Sequence, residues 1–177
     1  MDFITAFDFC VLDFLKTHVH CAFLDFWMPL ISALGNGGFI WILTSFVMLC
    51  FPKYRKQGAV LLVGLLVGFI IGNLVLKPLI ARPRPNWLST DIVLLIKNPA
   101  DFSFPSGHTL SSFIAAILIF MNNKKAGYVA LPLAALIAFS RLYLYVHYPS
   151  DVLAAIVLAY IIALFVHRCF YKKKGEL

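Results

Sequence analysis

Residues 140–151 read SRLYLYVHYPSD and join two apolar runs, 127–146 and 149–167. The stretch carries Arg141, His147 and Asp151, ionisable groups where a membrane segment should have none. Such groups are costly in hydrocarbon unless they are paired or line a wet cavity. Pro149 suits the first turn of a helix, which sets Asp151 about one turn beyond His147. A carboxylate placed there can accept the imidazole Nδ1–H and leave Nε2 free as a base or nucleophile.

The rest of the chain fits a bilayer. Of its 177 residues, 62% are hydrophobic, more than a soluble domain of this size can hide. We read one all-α, polytopic membrane domain spanning 1–177, a bundle of six transmembrane helices plus an N-terminal interfacial helix. The net charge of +7 is gathered in short clusters between apolar runs, a positive-inside pattern and not a nucleic-acid surface. Cys10, Cys21, Cys50 and Cys169 have no ligand spacing and read as small apolar residues. No signal peptide is expected at the N-terminus, which opens with Asp2.

Residues 2–16 place Phe3, Phe7, Cys10, Val11 and Phe14 on one face and Asp2, Asp8 and Asp13 elsewhere, the pattern of an amphipathic interfacial anchor. The membrane helices are expected at 21–35, 38–51, 58–80, 106–121, 127–146 and 149–167. The first two are short, and the Gly35-Asn36-Gly37-Gly38 turn between them suggests a hairpin. Gly64, Gly68 and Gly72 recur every four residues, a smooth face for close packing inside the monomer or across a homodimer. Lys53, Arg55 and Lys56, then Lys124 and Lys125, then Arg168 with Lys172-Lys173-Lys174 fall on one side if the chain crosses six times. That side is the cytoplasm by the charge rule, with both termini on it and the motif residues at the extracytoplasmic face of the cell membrane.

Two further stretches are anomalous in the same way as 140–151. One is Lys77 to Pro85, which holds Lys77, Arg82 and Arg84 between prolines; the other is Phe104-Pro105-Ser106-Gly107-His108. In order and spacing, Lys77 with Arg84-Pro85, Pro105 to His108, and Ser140 to Asp151 resemble the signature of the type 2 phosphatidic acid phosphatase superfamily. The resemblance covers about the last two thirds of the membrane region.

Phosphoryl transfer needs cations on the equatorial oxygens, an in-line nucleophile and an acid for the leaving oxygen. Lys77, Arg84 and Arg141 can supply the charge, and Ser106 and Gly107 open a helix whose free N–H groups favour an anion. His147 is the candidate nucleophile, Asp151 its orienting partner and His108 the acid. The resemblance implies the same roles, a phosphohistidine intermediate, water activation by His108, and no metal or other cofactor. It implies a lipid phosphate or diphosphate as substrate: undecaprenyl diphosphate first, with phosphatidylglycerophosphate and phosphatidic acid as alternatives. An anion transporter or channel would explain the cations but not the His–Asp spacing, and a purely structural subunit explains none of the motifs. The related vanadate-dependent haloperoxidases share the site residues but are larger and soluble. His18, His20, His167 and Lys97 read as structural, and Arg82, outside the signature, as a loop charge or an auxiliary phosphate contact.

Overall fold

A computed structural model describes residues 3–89 and 92–171. Asp2, Asp91 and the Lys172-Lys173-Lys174 cluster lie outside the described residues, and within them every regular element is helical. The helices are α1 (Phe3–His18), α2 (Ala22–Leu34), α3 (Phe39–Cys50), α4 (Arg55–Gly68), α5 (Lys77–Ile80), α6 (Pro85–Leu88), α7 (Gly107–Asn122), α8 (Lys124–Tyr143) and α9 (Pro149–Tyr171). A π-helical stretch, Phe69–Leu76, joins α4 to α5.

The centre of the bundle is α7, which packs against α4, α8 and α9. The glycine stripe explains one of these contacts. A Cβ on Gly64 would sit 2.6 Å from Leu118, one on Gly68 2.3 Å from Ile114, and one on Gly72 2.3 Å from Leu110. The pairing descends α7 as it ascends α4, so the two run antiparallel, and the small face is used inside the monomer. Alanines do the same on the other side: Ala130 and Ala134 of α8 and Ala155, Ala159 and Ala163 of α9 are all buried. Hydrocarbon gives helices no hydrophobic reason to associate, so close approach through small residues supplies the packing. Larger apolar side chains, among them Leu136, Leu153, Val157 and Ile161, face outward.

Three stretches, Pro52–Leu88, Lys124–Tyr143 and Pro149–Tyr171, are long and apolar enough to cross a membrane, and Gly107–Asn122 is a shorter apolar helix. The hairpin expected over 21–51 is not formed. Helices α2 and α3 meet at a bend of 45°, so the chain continues onward in one broken rod. The reason lies in the turn: Gly37 and Gly38 both take positive φ, but the 3₁₀ turn Asn36–Gly38 redirects the chain only partly.

A second departure concerns the chain ends. Helix α1 packs on α8 and α9 beside Ser150, at the end of the bundle where α5 finishes. Tyr171 lies at the other end, its ring 4.3 Å from the Lys56 ammonium at the start of α4. The two ends of the described chain are therefore on opposite ends of the bundle, not the same one. Helix α1 separates its two kinds of residue. Phe3, Phe7 and Phe14 face outward, whereas Asp8 is 1% exposed and faces the bundle.

Candidate active site

Local backbone geometry gathers the motif residues at one end of the bundle. The π-helical register before Lys77 rotates that side chain inward, a use common near functional sites. Ala81 then takes φ 49°, ends α5, and sends the chain through Arg82 to an extended Arg84. Tyr145 takes φ 57° between α8 and His147, and its hydroxyl is held by Asp13 of α1 at 2.7 Å. Non-glycine residues in this region cost about 1–2 kcal/mol and persist where surrounding contacts hold them.

A cavity of about 930 Å³ opens among these elements. Lys77, Arg84, Asp101, Gly107, His108, Arg141 and His147 line its polar end, and Ile42, Phe46, Leu62, Leu66 and Phe69 line an apolar flank. His147 is 1% exposed, and its Nε2 lies 3.1 Å from Nη1 of Arg84. A guanidinium only donates, so Nε2 is the acceptor and the proton of the neutral ring is on Nδ1. That nitrogen points at Asp151, as the spacing suggested, but its distance to Oδ2 is 3.6 Å, too long for a hydrogen bond. Ser103 fills the gap: its hydroxyl donates to Asp151 Oδ2 and stands 3.4 Å from His147 Nδ1. The backbone N–H of Tyr148 donates to the same Oδ2 at 3.1 Å.

His108 is placed from the other side of the cavity. Its Nε2 lies 2.9 Å from Oδ1 of Asn36, which accepts and thereby keeps a proton on that nitrogen. Gly35 is required beside it, since a Cβ there would fall 2.7 Å from the imidazole Cδ2. Arg141 is 3% exposed and donates to Ser32 of α2, yet its Nε has no partner. No carboxylate lies within ion-pair distance of it among the described residues. An unpaired buried guanidinium is unstable unless an anion joins it.

Asp101, in the stretch between α6 and α7, is part of the site. It accepts from Lys77 and, at 2.6 Å, from Nη2 of Arg84, while its backbone oxygen accepts from Arg84 Nε at 2.7 Å. Burial alone would raise its carboxyl, but Lys77 and Arg84 outweigh that and hold it at about 2. Ser106 does not line the cavity; its hydroxyl caps α7 and pairs with Thr109 Oγ1 at 2.9 Å, leaving Gly107 at the cavity wall.

Of the residues singled out in the sequence, Lys77, Arg84, Gly107, His108, Arg141 and His147 therefore meet in one cavity, with Asp151 directly behind. Asp101, Ser103, Ser32 and Asn36 were missed. Single polar residues in loops and apolar helices carry no periodic signal. His20 is structural, its ring stacked on Tyr143 at 4.0 Å.

The model of the PAP2 superfamily matches residues 57–175. The undecaprenyl-diphosphatase of Sulfolobus acidocaldarius is 32% identical over 117 residues, 66% of this chain and 56% of that protein's length. Undecaprenyl-diphosphatase BcrC of Bacillus subtilis is 31% identical over 151 residues, covering 84% of this chain and 76% of the other. The crystal structure of Aquifex aeolicus LpxE superposes with a TM-score of 0.81 at 24% identity, over 95% of this chain and 99% of that one, a likeness of fold. Asp8, Ser32 and Asn36 all precede the matched segment.

Proposed function

The chain belongs to the PAP2 superfamily and is a multi-pass membrane protein, and from that premise we propose that it removes phosphate from a membrane lipid, with undecaprenyl diphosphate as the substrate. The observation that carries this reading is the composition of the cavity. Its polar end holds Lys77, Arg84 and Arg141 around His108 and His147, and its flank is apolar. A phosphate group on a hydrocarbon tail has the same two-part chemistry.

In the proposed reaction Arg141, Lys77 and Arg84 take the phosphoryl oxygens, with Arg84 turning its fork from Nε2 of His147 to the substrate. Nε2 attacks phosphorus, the bond to the leaving oxygen breaks, and His108 gives that oxygen a proton. His108 then takes a proton from the water that hydrolyses the phosphohistidine, releasing phosphate. Asp151 steadies the positive charge that builds on His147. The three cations supply the charge stabilisation, so phosphate release is expected to continue in a chelator and to be blocked by vanadate.

We place the site end on the extracytoplasmic side. Lys53, Arg55 and Lys56 and the pair Lys124 and Lys125 lie at the opposite end of the bundle, and five crossings, with α2 and α3 as one, leave α1 beside the site.

The test is a panel of undecaprenyl diphosphate, phosphatidylglycerophosphate, phosphatidic acid and a lipid A phosphate, assayed for phosphate release by the purified protein in detergent. Preference for the diphosphate supports the proposal, preference for another lipid replaces the substrate, and no release from any of them sinks the reading.

A further inference from the structure

We propose that Arg82, clamped by Asp8 of α1, is a positioning residue for the Asp151–His147 pair, which makes the N-terminal helix a working part of the site. The inference rests on the phosphatase reading above. Arg82 lies two residues before the cavity cation Arg84 but does not line the cavity. Its Nη1 donates to Asp151 Oδ1 at 2.6 Å and to Ser150 Oγ at 2.7 Å, and its Nη2 donates to Asp8 Oδ2 at 2.8 Å. Its guanidinium carbon lies 3.9 Å from the centre of the Tyr148 ring.

Asp8 is held in turn by the Ser150 N–H at 2.9 Å and by the Ser150 hydroxyl at 2.5 Å. Asp8 and Asp151 are 1% and 0% exposed, so neither carboxylate has solvent to lean on. One oxygen of Asp151 is thus given wholly to Arg82, which leaves the other for Tyr148 N–H and for Ser103, the link to the imidazole. That division fixes the rotation of the carboxylate and holds the Ser103 hydroxyl against Nδ1 of His147, 3.4 Å away, which supports the Nδ1–H tautomer already favoured by Arg84 at Nε2. Arg82 alone would strip Asp151 of the negative charge His147 needs. With Asp8 the cluster of two carboxylates and one guanidinium keeps a net charge of minus one, which matches the imidazolium formed on attack.

The test uses the full-length protein in detergent with undecaprenyl diphosphate. Arg82→Gln is expected to lower kcat by about 100-fold or more with KM within about threefold, by analogy with other groups that orient a His–Asp pair. Asp8→Asn should lower kcat about tenfold, and the double variant should be no slower than Arg82→Gln, because the two act as one unit. Arg82→Lys, which keeps a cation between the carboxylates, should recover part of kcat. If Arg82→Gln does not fold, Arg82→Lys and Asp8→Asn carry the comparison. A second readout is independent of turnover. The ring ¹⁵N resonances of His147, assigned with His147→Gln, should report Nδ1–H in the wild type and a tautomer mixture in Arg82→Gln and Asp8→Asn. A raised KM with intact kcat, or an unchanged tautomer in both variants, overturns the proposal. If no lipid in the panel is hydrolysed the phosphatase reading fails, and the tautomer readout alone decides the role of Arg82.

Discussion

On the cavity side of His147, Lys77, Arg84 and Arg141 meet one carboxylate among the described residues, Asp101, whose side chain is 55% exposed. On the other side, one cation, Arg82, lies between two carboxylates that are almost wholly buried. The front has more positive charge than its own residues neutralise, and one guanidinium there, Arg141, has no carboxylate partner among the described residues. The back is fully paired and packed. Unbalanced charge favours capture of an anion, whereas paired and buried charge holds a geometry. The nucleophile candidate sits on the boundary between the two.

Removing the boundary residue has the largest expected effect. His147→Ala should abolish turnover and form no acid-labile phosphoenzyme in rapid-quench experiments with labelled substrate; label found on His108 or Ser106 would break the comparison at its centre. His108→Ala should lose turnover on lipids yet still become phosphorylated by nitrophenyl phosphate, whose leaving group needs little proton donation.

Changes at the back should act on rate. Asp151→Asn is expected to slow phosphorylation by about 10⁴-fold while lipid binding is kept. Ser103→Ala, which removes the bridging hydroxyl, should slow it by about tenfold, in line with a lost buried hydrogen bond of about 1–2 kcal/mol. Single-turnover kinetics separates these from binding defects. If Ser103→Ala matches Asp151→Asn, the hydroxyl matters as much as the carboxylate behind it.

Changes at the front should act on binding. Arg141→Gln is expected to weaken vanadate inhibition by about 100-fold, the effect of losing a buried charge-assisted contact of about 3 kcal/mol. Asp101→Asn should do the reverse and strengthen it about tenfold, since the carboxylate competes with the anion for Lys77 and Arg84. Shifts of opposite sign sharpen the comparison; a loss of inhibition in Asp101→Asn would show that Asp101 orders the cations instead of occupying them.

The smallest effect concerns acid stability. Asp101 is held at about 2 in the fold against 3.8 for a free carboxyl. A depressed value means its contribution is complete above pH 3.8 and is lost as pH falls through the folded value, toward 2. Its exposure makes the contribution modest. Thermal unfolding in detergent should therefore be flatter with pH between 4 and 2 for Asp101→Asn than for the wild type, and identical slopes would remove the ion pairs from the stability account.

Labelling tests the arrangement of the ends. In a background without native cysteines, single cysteines at Ala6 in α1 and at Leu95 in the loop should both react with an impermeant reagent from outside intact cells, while Lys124→Cys should not. Protection of position 6 alone would restore six crossings.

The sequence by itself determined the membrane class, the helical stretches and most of the cavity side chains, because each leaves a local mark. Apolar runs, glycines every four residues and charged groups inside apolar segments can be read without knowing what they touch. Charge clustering also pointed to one basic end, but all three clusters follow the first apolar region, so they are indifferent to whether 22–50 crosses once or twice. Tertiary structure set the 45° bend between α2 and α3, through the backbone of Asn36–Gly38. It also decided the partners of each functional group. Ser32 on Arg141, Asn36 on His108 and Asp8 on Arg82 join residues 72 to 109 positions apart. An aspartate on an amphipathic helix looks alike whether it meets water or a buried guanidinium, and only the packing of α1 against α8 and α9 distinguishes the two.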